Sequence, residues 1–221
     1  ATANRSATAG VDDVANSLTG QTIPAGASTY TFTALVNGDT LNEQSETFFV
    51  NVTNVVNAVV ADGQGVGTIV NDDALPSLSI NDVSLVEGNA GTTAMVFTVT
   101  LSAASGRTVS VNYATADGTA VAPGDYTSAS GTLTFVPGIT SQSVSVSVNG
   151  DTVPEANETF FVNLSGATNA TIADTQGVGT IVNDDVPVTV APPTLPTPTV
   201  GVAYSQSLTA SGGTAPYTFS V

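Results

Sequence analysis

The chemistry this chain offers is carboxylate chemistry. Its five glutamates are Glu43, Glu46, Glu87, Glu155 and Glu158, and four of them sit in two copies of the pattern G-D-T-x-x-E-x-x-E. Asp39 opens the first copy and Asp151 the second. Asp72 and Asp73 likewise match Asp184 and Asp185 in a repeated N-D-D, and Asp62 matches Asp174. The 18 acidic residues face two basic ones, Arg5 and Arg107, and the chain has no Lys, His or Cys. Imidazole bases, thiol nucleophiles and the usual zinc, haem or iron–sulfur sites are therefore excluded. Carboxylates crowded without counter-charges repel one another. A hard cation taking six to eight oxygens in flexible geometry resolves the conflict, and calcium fits that description better than magnesium. Turn formation explains Asn-Gly-Asp and Asn-Asp-Asp one at a time. It does not explain glutamates, poor turn formers, at a fixed spacing beside them.

Composition narrows the setting. A net charge of −16 and a pI of about 4.1 exclude binding to a phosphate backbone. Acidic chains are often disordered because they lack apolar residues. This one is 41% hydrophobic and only 9% charged, so it should fold, with a surface of Ser, Thr, Asn, Gly and Ala. Without cysteine it forms no disulfides and its redox compartment cannot be read. No apolar run approaches the roughly 18 residues of a membrane span, and no basic start leads into an apolar signal core. The sequence reads as a mature or excised piece.

The elements that position these residues repeat with them. Residues 36–73 and 148–185 are identical at 26 of 38 aligned positions, at an offset of 112, and TANRSATAGVD at 2–12 lies against TADGTAVAPGD at 115–125. Such a period is a whole domain. In the second copy VFTVTL (96–101), VSVNY (109–113), GTLTF (131–135), VSVSV (144–148), FFVNL (160–164) and GVGTIV (177–182) are short β-branched runs between turn residues. They predict an all-β fold of tandem, immunoglobulin-like antiparallel sandwiches. The expected organisation is a domain over 1–73 lacking its opening strands, a complete domain over 74–185, a proline-rich linker over 186–198 and the start of another β module over 199–221. The first copy is either a piece of a longer tandem array or a domain completed by a strand from another chain.

V-E-G at 86–88, TADGTAVAPGDY at 115–126, GDTVPEANETFFVNL at 150–164 and GVGTIVNDD at 177–185 together resemble the Calx-β domain. That family is named for the calcium-binding modules of sodium/calcium exchangers and recurs in bacterial surface proteins. The tail, VGVAYSQSLTASGGTAPYTFSV, resembles the start of Ig-like modules of large bacterial secreted proteins. The Calx-β resemblance implies a seven-stranded sandwich with calcium held by loops at one end. Carried over by position, the implied ligands are Glu87 on the first strand, Asp117, Asp151, Glu155, Glu158, Asp184 and Asp185. The first copy has Asn4 where the second has Asp117, so a site there would rest on Asp39, Glu43, Glu46, Asp72 and Asp73. Asp12 and Asp125 are expected to cap loops, Asp62 and Asp174 to form turns, and Asp82 to serve a turn near the junction.

The leading functional expectation is a calcium-stiffened, non-enzymatic rod segment of a large extracellular or cell-surface bacterial protein, of adhesin or fibre type. Its partners would be calcium ions, neighbouring domains or copies of itself, and a host or surface ligand. The alternatives are a calcium-sensing regulatory module and a filament subunit assembled by strand complementation. A glycosidase-like carboxylate pair is disfavoured, because the acidic pattern duplicates with the domain and no Trp offers a sugar platform.

Overall fold

The computed structural model describes residues 1–213 and 215–220. Fourteen strands and no helix occur among them, so no helix is long and apolar enough to cross a membrane. The first copy contributes β1 (Thr2–Asn4), β2 (Glu46–Asn51) and β3 (Gln64–Ile69). The second contributes β4 (Ser77–Ile80), β5 (Val83–Val86), β6 (Thr92–Leu101), β7 (Val109–Asp117) and β8 (Ser130–Phe135), followed by β9 (Ser141–Asn149), β10 (Glu158–Thr168), β11 (Thr171–Ile172) and β12 (Gln176–Val182). The short β13 (Thr189–Ala191) and β14 (Thr209–Ser211) complete the set.

Residues 77–182 form a two-sheet sandwich, β5-β12-β10-β7-β8 against β11-β4-β6-β9. Alternation drives the packing: Met95, Phe97, Val99 and Leu101 of β6 and Val144, Val146 and Val148 of β9 point inward, meeting Phe160, Val162 and Leu164 of β10. Fully burying each such side chain stabilises by about 1.5–3 kcal/mol. Phe160 is the centre of the aromatic contacts, edge-on to Phe97 at 5.9 Å and stacked on Tyr126 at 4.4 Å.

The opening strand changes sheets midway. β4 pairs antiparallel with β6, whereas β5 pairs in parallel with β12. At the crossing, side chains replace the missing ladder: Asn81 Oδ1 accepts from the Thr98 amide (2.6 Å) and Asp82 Oδ1 from the Val178 amide (2.7 Å). Asp82 therefore bonds one sheet exactly where its own backbone has left the other. Asp62 and Asp174 accept from the Gln64 and Gln176 amides two residues on, as turn residues do.

The first copy keeps the registers of the second. Asn4 faces Phe48 across β1 and β2 as Asp117 faces Phe160 across β7 and β10. Between Arg5 and Ser45 it carries only isolated bridges and no strand. The cause is pairing: β8 is held by residues 109–114 of β7 and β9 by β6, and the first copy has no counterpart of either partner. Its buried apolar residues are Ala7 and Phe48, so the core cluster lies wholly within the second copy.

The residues expected as a linker do more than extend. β13 lies within 186–198 and pairs antiparallel with β14, in the tail over 199–221. Thr214 and Val221 of the tail module lie outside the described residues.

Candidate metal centre

Parallel pairing assembles the main acidic site. Val86 stands opposite Val182, so Glu87 and the Asp184–Asp185 pair leave neighbouring strand ends at the same rim. Glu87 thus sits just past β5 rather than on the first strand. The loop after β9 reaches this rim because residue 150 is glycine: a β-carbon there would meet the Gly88 carbonyl oxygen and come within 2.8 Å of that of Glu87. The Gly150 amide donates to Gly91 O at 3.0 Å, drawing Asp151 and Glu155 toward Glu87.

Two groups of carboxylates result, each with oxygens within 4.8 Å of one another: Glu87 with Asp184 and Asp185, and Asp125 with Glu155 and Glu158. Oxygens ligating one calcium at 2.3–2.6 Å lie at most about 5 Å apart, so each group fits one ion, whereas magnesium at 2.0–2.1 Å requires tighter convergence. Asp184 Oδ1 accepts from the Gly88 amide (3.1 Å) and Asp185 Oδ1 from Asn89 Nδ2 (3.0 Å). Asp185 Oδ2 is buried with no hydrogen-bond partner. A buried carboxylate oxygen without a donor is costly, and a cation among Asp185, Glu87 and Asp184 removes that cost. The donor set, oxygen only, is that of a hard divalent ion.

Electrostatics agree. Burial, and then the charges of Asp151, Glu155, Asp185 and Asp184, push Glu87 up to about 7. Glu158 is raised by burial and by its neighbours Asp125 and Glu155. Glu155 thus acts on glutamates of both groups, which makes the two groups adjacent. Charges 4–5 Å apart repel by roughly 3–4 kcal/mol at an effective dielectric of 20.

Asp151 and Glu155 are exposed at the rim, and Asp151 Oδ1 also closes a turn by accepting from the Val153 amide (2.6 Å). Asp117 stands apart from both groups. Its Oδ1 accepts from Tyr126 Oη (2.6 Å) and from the Ala122 amide (3.1 Å), and these bonds hold its pKa below the usual range. The geometry therefore makes Asp117 the anchor of Tyr126, whose hydroxyl burial and this contact push up to about 12. Asp125, beside Tyr126, joins the second group while its Oδ2 still caps the loop through the Val121 amide (2.6 Å). The cap was legible in the sequence; the shared role was not, since nothing in the spacing of residues 125, 155 and 158 shows that their loops meet.

A model of the Calx-beta domain matches residues 1–74 and 72–186. The chain belongs to the Calx-beta family. Among solved structures it is similar to CBD12 from CALX1.2 (24% identity, 49% of this chain and 45% of that chain, TM-score 0.45). It is also similar to the apo-form Calx CBD1 domain (25% identity, 51% and 100%, TM-score 0.44) and to the calcium binding domain CBD12 of CALX1.1 (24%, 48% and 45%, TM-score 0.45). The match thus spans less than half of each CBD12 chain.

The first Calx-beta copy gathers its acids more loosely. Asp12, Asp39, Glu43, Glu46, Asp72 and Asp73 line a cleft of about 380 Å³, yet among the described residues no three converge within 4.8 Å. Asp12 caps the Thr8 amide (2.6 Å), as Asp125 caps its own loop, and also faces Glu46. Burial raises both Glu43 and Glu46, joined at Glu43 by the charges of Asp39, Asp12 and Asp73 and at Glu46 by Asp12 and Glu43. Where the second copy has Tyr126, this Calx-beta copy has Asp13, which is buried with Oδ1 unpartnered. The cleft adjoins the second copy: Asn42 O accepts from the Gly106 amide (3.1 Å) and from Ser105 Oγ (3.2 Å), and Gly106 packs against the Glu43 side chain.

Proposed function

We propose that this chain is a calcium-binding structural segment of a large extracellular or cell-surface bacterial protein, non-catalytic, in which calcium stiffens the sandwich and the junction between copies. The observation that carries the reading is the donor-less, buried Asp185 Oδ2 beside Glu87 and Asp184. Bound calcium supplies positive charge and ties together chain segments that otherwise repel. Glu87, Asp184 and Asp185 hold one position; Asp125, Glu155 and Glu158 hold the adjacent one, with Asp151 at the rim between loops. Placing Glu43 against Gly106 supports a stiffening role, because ordering the first cleft would order the contact with the second copy. Crowded carboxylates repeated in each copy suit ion binding better than the acid–base pair of a hydrolase. A rod working in calcium-rich surroundings needs only weak sites, in the range of extracellular modules.

The test is thermal unfolding of the whole chain in EDTA and in millimolar calcium, together with small-angle scattering. Calcium should raise the melting temperature and narrow the distribution of shapes. Identical curves in both conditions overturn the reading.

A second reading, assembly by strand addition, is supported by one observation. GVGTIVNDD occurs identically at 65–73 and 177–185, and β12 pairs on its outer edge with β5, whereas β3 pairs only with β2 among the described residues. Sedimentation over a concentration series tests it: self-association supports strand addition, and a single monomeric species removes it.

A further inference from the structure

The chain holds two Asn-Gly steps, Asn37-Gly38 and Asn149-Gly150, in identical V-N-G-D-T segments, and the fold treats them differently. At an Asn-Gly step the glycine amide nitrogen can attack the asparagine Cγ, because no side chain on the glycine hinders the approach. The attack is blocked when that N–H is tied down and the backbone is fixed.

Asn149-Gly150 is locked. Asn149 ends β9, paired with Thr92, and its Nδ2 donates to Pro123 O (2.9 Å) and Gly124 O (2.6 Å). The Gly150 amide donates to Gly91 O, and the Gly88 carbonyl fills the space beside its Cα. Asn37-Gly38 keeps the equivalent Asn37 contacts, its N donating to Asp12 O (3.0 Å) and Nδ2 to Val11 O (2.8 Å). Both residues are exposed and outside any strand, the Gly38 amide has no hydrogen-bond partner among the described residues, and nothing lies within 4 Å of a β-carbon built on Gly38.

We infer that Asn37 is a site of spontaneous deamidation that adds a carboxylate to the acidic cleft of the first copy. The Gly38 nitrogen loses its proton and bonds to Asn37 Cγ, the Cγ–Nδ2 bond breaks and ammonia leaves. Water then opens the cyclic imide at one carbonyl or the other, giving aspartate or isoaspartate. No oxidant or enzyme is required. Asn37 and Gly38 line the cleft with Asp12, Asp39 and Glu43, so the new charge enters that acidic group.

The full chain is aged in mildly alkaline buffer at body temperature, digested after Asp and Glu, and mapped by mass spectrometry. Asn37 should convert about tenfold faster than Asn149, roughly the rate equivalent of one broken hydrogen bond. Gly38→Ala should suppress the conversion. Equal rates at the two steps, or a rate unchanged by Gly38→Ala, overturn the inference. The effect on cation binding rests on the proposed function and is read separately: Asn37→Asp should bind terbium more tightly at the first copy than Asn37→Gln. Failure of that readout alone, with the mapped conversion intact, counts against the calcium reading and not against the modification.

Discussion

Asp185 and Asp117 are both aspartates beside turns, but their oxygens are committed differently. Asp185 leaves Oδ2 buried without a donor, whereas Asp117 spends Oδ1 on Tyr126 and Ala122. Asp185→Asn is therefore expected to weaken calcium binding at least tenfold in isothermal titration, about 1.4 kcal/mol or more. Asp117→Asn keeps an acceptor for both donors and should leave that affinity nearly unchanged. The pH response follows from Glu87. Because its folded value of about 7 exceeds the ordinary 4.5, the folded state binds more protons than the unfolded state between those limits. The stabilisation is complete below about 4.5 and is lost as pH rises through about 7. Glu43, Glu46 and Glu158 act in the same sense, and Asp117 in the opposite sense. Melting temperature in EDTA should thus fall across this window, and Glu87→Gln should flatten the fall. A melting temperature that rises with pH in EDTA would contradict the assignment.

At the scale of elements, the site depends on close approach between loops. Gly150→Ala pushes a methyl group into the Gly88 carbonyl, so it should cost about 1–3 kcal/mol of stability and lower calcium affinity together. Chemical denaturation and titration of the same variant check both. Six principal strands of the second copy were legible as β-branched runs, because alternation is imposed by a core buried on one side of each sheet. The division of the opening strand into β4 and β5 was not legible. It depends on Asn81 and Asp82 meeting amides of different sheets, 17 and 96 residues away. Glutamate spacing revealed an acidic site, but the membership of Asp125 depended on how two loops fold toward each other. In the first copy the sequence of residues 14–35 is locally strand-like, as in T-Y-T-F-T, yet forms none, since strands need partners more than propensity.

For the molecule as a whole, the parallel pairing of β5 with β12 bears on load. β5, the second part of the unit's opening strand, and β12, its last strand, run in the same direction, so the chain enters this ladder at one end and leaves it at the other. Tension along the chain pulls these two strands past each other lengthwise. The four facing pairs from Val83–Gly179 to Val86–Val182 then share the force at once instead of opening one by one. Glu87, Asp184 and Asp185 lie where that sliding would have to begin, so an ion there would act as a rivet. Single-molecule stretching should give a higher rupture force for this unit in calcium than in EDTA, and the difference should disappear in Asp185→Asn.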